Sequence, residues 1–500
     1  MTEDYKKVVD GAREAFDNGT TLPLEFRVHQ LKRLKAMYSD HSQVFMDALH
    51  SDLNKPDMEA ALFEVSACIN DIDYILNRIT SWTTPEKVSS VIPLDKSLIY
   101  REPYGVTLVM GAWNYPMQLT MTPVHGAMAA GNTVIIKPSE VSPATASALA
   151  KLVPQYLDQT CYPVVCGGVT ETTELLKERF DYIFYTGSTT VGKIVREAAN
   201  KHLTPTTLEL GGKSPCYVDT SVNLDKAARR ILWGKMINLG QTCIAPDYVL
   251  CPREVREPLV SAMKEVLLEW FGPEPKTSPD LGRIVATRHV DRLAKYLDSG
   301  RAVVGGGYNR EEKWVEPTIL VDVKEDSKIM QEEIFGPILP ILTVDNHTQA
   351  IDLIRAKERP LALYIFSVNK DIQDTFLRRV QCGGVCINDT IFHISNNKLP
   401  FGGVGWSGMG GYHGKFTFDT FSHLKSVLSR SYNPILEKIT CMRFPPYTEK
   451  KKKVMMGSVA DKGDGPGVLH YLALTTQHLV SMSAGALLLY LSLHYTDTVV

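Results

Sequence analysis

Gly105-Val106-Thr107-Leu108-Val109-Met110-Gly111-Ala112-Trp113-Asn114-Tyr115-Pro116 is the stretch whose reading decides the fold. An unbroken apolar run with β-branched residues, closed by a glycine, predicts a strand covered on both faces. A helical stretch with small residues follows over 123–131, and Thr133-Val134-Ile135-Ile136 then repeats the strand pattern. Further out, apolar runs at 161–166 and 182–185 alternate with helical text at 144–157, 170–179 and 191–201. Strand and helix alternating over about 100 residues predicts a parallel, doubly wound sheet. A second alternation runs over 208–409, with apolar runs at 248–251, 338–344, 361–367 and 384–388. The expected class is therefore α/β with two doubly wound parallel-sheet domains and a boundary near Thr207. Upstream, Val8, Ala12, Phe16, then Leu31, Leu34, Met37, then Leu62, Val65, Cys68, Ile69, Ile72 recur at helical spacing, which predicts two or three long helices over 5–80. Pro85 and Pro93 interrupt that text, so 81–101 reads as a connection or an extended arm.

Composition narrows the function. The chain has 500 residues, with Lys+Arg 54 against Asp+Glu 56, so no overall field draws it to nucleic acid, and a nucleic-acid partner is not expected. The nine cysteines are odd in number, scattered, and never fall in a CxxC pair or beside a His cluster. That spacing predicts reduced thiols and no metal site. The N-terminal residues Met1-Thr2-Glu3-Asp4-Tyr5-Lys6-Lys7 carry no apolar core, so no secretory or transit signal is expected. The C-terminal text changes character after Pro445-Pro446, with lysines at 450–453 and a polar, Gly-rich linker over 457–467. From 468 to 496 there is no Asp, Glu, Lys or Arg. A helix of about 20 residues crosses the hydrocarbon core, so a C-terminal membrane helix is expected, flanked on the cytosolic side by the lysines. His470, Gln477, His478 and several hydroxyls inside the run leave a surface-lying segment or a buried tail as alternatives.

Four motifs carry chemistry. Asn238-Leu239-Gly240-Gln241-Thr242-Cys243-Ile244-Ala245-Pro246 places a cysteine in a Gly- and Pro-punctuated loop entering a strand. A thiolate is a strong nucleophile toward an aldehyde carbon, although a lone cysteine is more often structural. Leu208-Glu209-Leu210-Gly211-Gly212 sets a carboxylate among leucines, where an apolar setting raises its pKa toward that of a general base; a solvent-facing strand-end Glu is the plain alternative. Asn114, past the strand 106–110, can donate its amide to an oxyanion, or simply cap a helix. Lys137 and Glu140 stand just past the strand 133–136, and Gly187-Ser188-Thr189-Thr190-Val191-Gly192 puts glycines and hydroxyls at a helix N-terminus, a natural pyrophosphate site. A carboxylate at Glu140 hydrogen-bonds ribose hydroxyls and repels a 2′-phosphate, which favours NAD, with NADP left open by Lys137.

With these motifs the chain resembles the aldehyde dehydrogenase superfamily, and within it the class 3 branch that includes fatty aldehyde dehydrogenase. The likeness runs from about Tyr5 to Pro446 and also takes in Glu333-Ile334-Phe335-Gly336-Pro337 and Pro400-Phe401-Gly402-Gly403. The resemblance implies Cys243 as nucleophile, Glu209 as general base and Asn114 as oxyanion donor. It implies that Lys137, Glu140 and the turn from Gly187 to Gly192 hold the adenosine half of the cofactor, with Glu333 and Phe335 at the nicotinamide ribose. It further implies an NAD-binding domain at 1–85 and 102–207, a catalytic domain at 208–415, and bridging segments at 86–101 and 416–430 that support a homodimer. The linker is then 431–467 and the hydrophobic segment 468–495, with the catalytic body facing the cytosol, commonly on the endoplasmic reticulum. The expected reaction is oxidation of medium- to long-chain aliphatic aldehydes to acids through a Cys243 thiohemiacetal and thioester. Aromatic or short-chain aldehydes, an acyl-CoA-forming relative, a cysteine hydrolase and an idle membrane-tethered scaffold are the alternatives. Cys68, Cys216, Cys382 and Cys386 are expected as small buried hydrophobes and His125 as a packed residue.

Overall fold

The run that follows Gly105 forms the strand Val106–Met110, and every residue of it is buried. The computed structural model describes residues 5–90 and 95–459. Contacts divide the chain into one unit of 1–82 with 102–423 and a second of 83–101 with 424–500.

In the first unit the five-stranded sheet has the order Gly408–Met409, Thr206–Glu209, Tyr182–Thr186, Val106–Met110, Thr133–Lys137. The four strands other than Gly408–Met409 are parallel and in register at their carboxyl ends, with Met110 opposite both Lys137 and Tyr185, and Thr186 opposite Glu209. That alignment gathers Asn114, Lys137, the Gly187 turn and Glu209 at one edge, where ligands bind in open parallel sheets. Alternate residues feed two cores: Val109, Ile136 and Phe184 face one, Leu108, Ile135 and Ile183 the other. The expected strand at 161–166 is only a ribbon along this sheet, with a single bridge from Val164 to Ile136. Pro163 has no N–H to donate, and the amides of Cys161 and Tyr162 are spent on the Asp158 carbonyl.

The seven-stranded sheet runs Gly384–Ile387, Ala362–Phe366, Pro215–Val218, Tyr248–Cys251, Ile338–Thr343, Thr318–Val321, Arg301–Val304. It is parallel except at Arg301–Val304, which pairs antiparallel with Thr318–Val321. Gly408–Met409 is likewise antiparallel to Thr206–Glu209. Each sheet therefore departs from the all-parallel expectation at one edge: Arg301–Val304 meets Thr318–Val321 by a short return that needs no crossover helix, whereas Gly408–Met409 comes back to Thr206–Glu209 from far along the chain.

The N-terminal helices are shorter and more numerous than their periodicity suggested: Tyr5–Asp17, Leu24–Asp40, Ser42–Leu53, Asp57–Ala60, a π-helical turn Ala61–Val65, then Ser66–Leu76. Breaks fall at Pro23, at Pro56, and at Asn54, whose φ of +48° ends its helix in the left-handed region. All nine cysteines are free; Cys68 and Cys216 are buried as expected, whereas Cys382 and Cys386 are only half-buried. His125 is packed, held between Tyr38 Oη at 2.9 Å and Asp71 at 2.8 Å.

The second unit contains the antiparallel pairing of Glu86 with Ile99, supported by Arg101 on Glu86 and Arg430 on Asp95. Two helices follow, Pro434–Thr440 and Glu449–Val459, so the lysines at 450–453 stand on a helix rather than in a linker. Among the described residues no helix is long and apolar enough to cross a membrane. The segment 468–495 lies outside the described residues.

Candidate active site

The helix Leu224–Met236 delivers the chain into three successive left-handed residues, Asn238 (φ +50°), Leu239 (φ +51°) and Gly240 (φ +75°). A left-handed non-glycine residue costs roughly 1–2 kcal/mol, so the loop must be held from outside. A side-chain oxygen of Glu59 accepts the Asn238 amide at 2.8 Å. Asn238 Nδ2 donates to the Asn114 carbonyl at 2.8 Å and to the Gln241 carbonyl at 3.1 Å. Gln241 Nε2 donates to the carbonyls of Asn238 and Arg283, and its Oε1 accepts the Val285 amide at 3.0 Å. A Cβ on Gly240 would meet the Gly336 carbonyl at 2.3 Å, so only glycine fits there. This frame presents Cys243, half-buried between buried Thr242 and Ile244. Its own amide and that of Ile244 point at the sulfur, but burial, then Glu333 and Glu209, push the thiol well up.

Glu209 ends its strand 3% exposed, with no hydrogen-bond partner on either oxygen. Burial alone pushes its carboxyl well above the usual carboxylate range. The first glycine past Leu210 has a steric reason: a Cβ on Gly211 would lie 2.0 Å from Glu333 Oε2. Glu333 is pushed up to about 8 by burial and then by Asp247. Its segment is suspended by groups the sequence reading did not assign. Asp247 accepts the Ile334 amide at 2.9 Å, Lys213 pairs with Asp247 and donates to the carbonyls of Ile329 and Glu332, and Arg292 donates to the Glu333 carbonyl at 3.1 Å. Lys213 and Asp247 each directly follow a motif, and a buried opposite-charge pair was the signal available. Lys235 is also buried, with no hydrogen-bond partner, and burial pushes it down to about 8.

Asn114 is 3% exposed, and its amide donates to the Gln241 carbonyl at 3.0 Å, so it is joined to the cysteine loop rather than capping a helix. A second proton on that nitrogen stays available to a substrate oxygen. The Asn114 carbonyl accepts Lys55 Nζ at 3.0 Å. Lys55 is fully buried, pairs with Glu64 at 2.6 Å and lies 4.0 Å over the Tyr115 ring. Glu64 in turn accepts the amides of Met117 and Gln118, which fixes the start of the helix Gln118–Ala130. Tyr115 Oη and Thr242 Oγ1 share a hydrogen bond of 2.9 Å.

At the other part of the sheet edge, Ser188 caps the helix Thr189–Asn200 by accepting from the Val191 amide at 3.4 Å. First-turn amides of such a helix have no intrahelical acceptor and suit an anion. Thr186 Oγ1, just before the turn, is buried without a partner. Lys137 Nζ reaches Glu140 at 3.1 Å. Phe335, held at φ +50°, meets the Trp113 ring edge-on at 5.3 Å. An unsatisfied hydroxyl, open helix amides and a cation–carboxylate pair in one row fit a dinucleotide.

The chain matches the aldehyde dehydrogenase family over residues 1–427. The chain belongs to the aldehyde dehydrogenase family. It is 48% identical to aldehyde dehydrogenase family 3 member B1 of Rattus norvegicus, over 91% of this chain and 97% of that protein. It is 49% identical to the Mus musculus protein named aldehyde dehydrogenase, dimeric NADP-preferring, over 89% of this chain and 99% of that one. Among solved structures, the substrate-bound state of Staphylococcus aureus AldH superposes with a TM-score of 0.87 at 41% identity, covering 90% of this chain and 98% of that one. As a family member this aldehyde dehydrogenase is an NAD(P)-dependent oxidoreductase.

Proposed function

We propose that this aldehyde dehydrogenase oxidises medium- to long-chain aliphatic aldehydes to carboxylic acids, with NAD preferred. The observation that supports the substrate reading is a row of aromatic rings packed against the same core as Cys243. Phe63, Trp233, Ile394 and Phe401 are half-buried with Cys243 against one core, and the rings of Phe63, Trp233 and Phe392 follow one another at 6.4 and 6.1 Å. Such a row favours alkyl chains through area removed from water. Glu140 beside Lys137 supports NAD; the NADP-preferring name of the mouse relative supports the second reading, NADP.

In the mechanism, Cys243 releases its proton to solvent and adds to the aldehyde carbon as the thiolate. The oxyanion is stabilised by Asn114 Nδ2 and the Cys243 amide. NAD, held by Lys137, Glu140, the Gly187 to Gly192 turn, Glu333 and Phe335, supplies the two-electron acceptor when bound. Glu209 then takes a proton from the water that hydrolyses the Cys243 thioester, a task suited to a buried, unpaired carboxyl of raised pKa.

In this reading 1–85 and 102–207 hold the cofactor, 208–415 carry the nucleophile, and 86–101 with 416–430 bridge two copies, in line with the relative named dimeric. The uncharged run 468–496 attaches the protein to a membrane, commonly the endoplasmic reticulum, with its body in the cytosol. Extraction of membranes with alkaline carbonate tests this, and release of the full chain would sink the attachment. The decisive assay is NADH formation with hexadecanal against a short-chain and an aromatic aldehyde, for wild type and Cys243→Ala. Fast turnover of hexadecanal that vanishes in the variant is expected. No NADH with any aldehyde would favour a scaffold instead.

A further inference from the structure

Apart from the catalytic edge, one surface cavity gathers more cations than anions. It has a volume of about 310 Å³ and lies where the helices His347–Arg355 and Lys370–Arg379 both end. Its floor is Ile354, Pro360 and Val380, and its rim carries Arg355, Lys357, Arg359 and Arg379. Arg379 donates to Asp352 at 3.0 Å and Lys357 to the Met330 carbonyl at 3.1 Å. Among the described residues Arg355 and Arg359 have neither a hydrogen bond nor an ion pair.

Two simpler sources of this charge fall short. A helix carboxyl end favours a cation in its last turn, which accounts for Arg355 and Arg379. It does not account for Lys357 and Arg359, which lie in the connection between the helix and the strand Ala362–Phe366. Overall composition does not account for it either, since the chain is slightly acidic. Four neighbouring cations, with Asp352 paired to Arg379 and Glu325 acting on Lys357, keep an excess of positive charge that a multiply charged anion relieves. Arginine suits this because its planar fork binds phosphate oxygens in pairs, and two such forks are unspent here. The volume is at the lower end of the roughly 300–1,000 Å³ of small-molecule sites, enough for a phosphate with a small group attached over the apolar floor.

We propose that Arg355, Lys357, Arg359 and Arg379 form a second binding site, distinct from the cofactor edge, for a phosphate-bearing anion. The test uses the full chain saturated with NAD, so that the helix amides at Thr189 are occupied, and titrates it with inorganic pyrophosphate in a calorimeter. Wild type is expected to bind, more weakly as salt rises. Arg355→Gln/Arg359→Gln is expected to bind about tenfold more weakly or worse, since charge-assisted bonds are the strong ones. Because neither side chain makes a hydrogen bond in the fold, thermal midpoint and aldehyde turnover should match wild type. No binding by wild type, or equal affinity in the double variant, overturns the proposal. A vesicle arm identifies the source of the phosphate. Weaker sedimentation of the variant with phosphatidylcholine vesicles containing phosphatidylinositol phosphate, and no difference with phosphatidylcholine alone, assigns a lipid headgroup; equal sedimentation on both, with pyrophosphate binding lost, assigns a soluble phosphate. The variant difference is read without aldehyde turnover, so its failure is distinct from failure of the oxidation reading.

Discussion

The cysteine loop and the nucleotide turn lie at the same edge of the first unit and are built in opposite ways. The loop at 238–243 holds three left-handed residues in place with bonds from Glu59, Asn114, Gln241 and Asn238, all within 2.8–3.1 Å. The turn at Ser188 is tied by the 3.4 Å cap on an exposed serine, by the Gly187 amide on the Glu209 carbonyl at 3.0 Å and by the Thr189 hydroxyl on the Trp406 carbonyl at 3.3 Å, and it leaves its first amides open. The difference teaches where rigidity is placed. In the proposed mechanism the loop's atoms meet an aldehyde carbon in one geometry and are fixed beforehand. The turn proposed to hold the cofactor keeps unsatisfied amides.

This contrast can be broken at four points. Asn114→Ala removes the proposed oxyanion donor and one strut of the loop, and kcat should fall by about 10²–10³-fold in steady-state assays, with little change in cofactor KM. Gln241→Leu strips three backbone groups of their partners; a kcat loss of about 10²-fold from misplacement of Cys243 is expected, with denaturant melts losing roughly 3 kcal/mol. A stable, fully active Gln241→Leu protein would mean the loop needs no frame. Glu333→Gln tests the boundary between the two regions. In the folded chain Glu333 titrates at about 8 against 4.5 for the ordinary group, so between those values the folded state holds the extra proton and wild-type stability falls as pH rises. The variant lacks that loss, so its thermal midpoint should gain on wild type from pH 5 to pH 9. Ser188→Ala should do least, costing about 0.5–1 kcal/mol and raising cofactor KM slightly while kcat holds.

Much of the edge was legible because strand ends and motifs coincide. Val106–Met110 is a short apolar run and Asn114 follows from where it stops, whereas the strand Thr206–Glu209 has no apolar run to mark it and Glu209 was found through its leucine- and glycine-flanked motif. What stayed hidden involves groups far apart in the chain. Glu59 meeting Asn238, Lys55 meeting Asn114, and Arg292 meeting Glu333 are long-range contacts that periodicity does not encode. The antiparallel edges at Arg301–Val304 and Gly408–Met409 were hidden for a different reason, since strand direction leaves no mark in a four- or two-residue run. The Glu449–Val459 helix was masked by its lysines, which read as a solvated linker.

The burial of Cys243 also bears on the protein's endurance. A thiol held in its protonated form by apolar surroundings and two neighbouring carboxyls is a slow target for peroxide and for alkylating reagents, which attack the thiolate. On the proposed mechanism Cys243 becomes reactive only when its proton leaves, which would confine the chemical vulnerability of the sulfur to the moments of turnover.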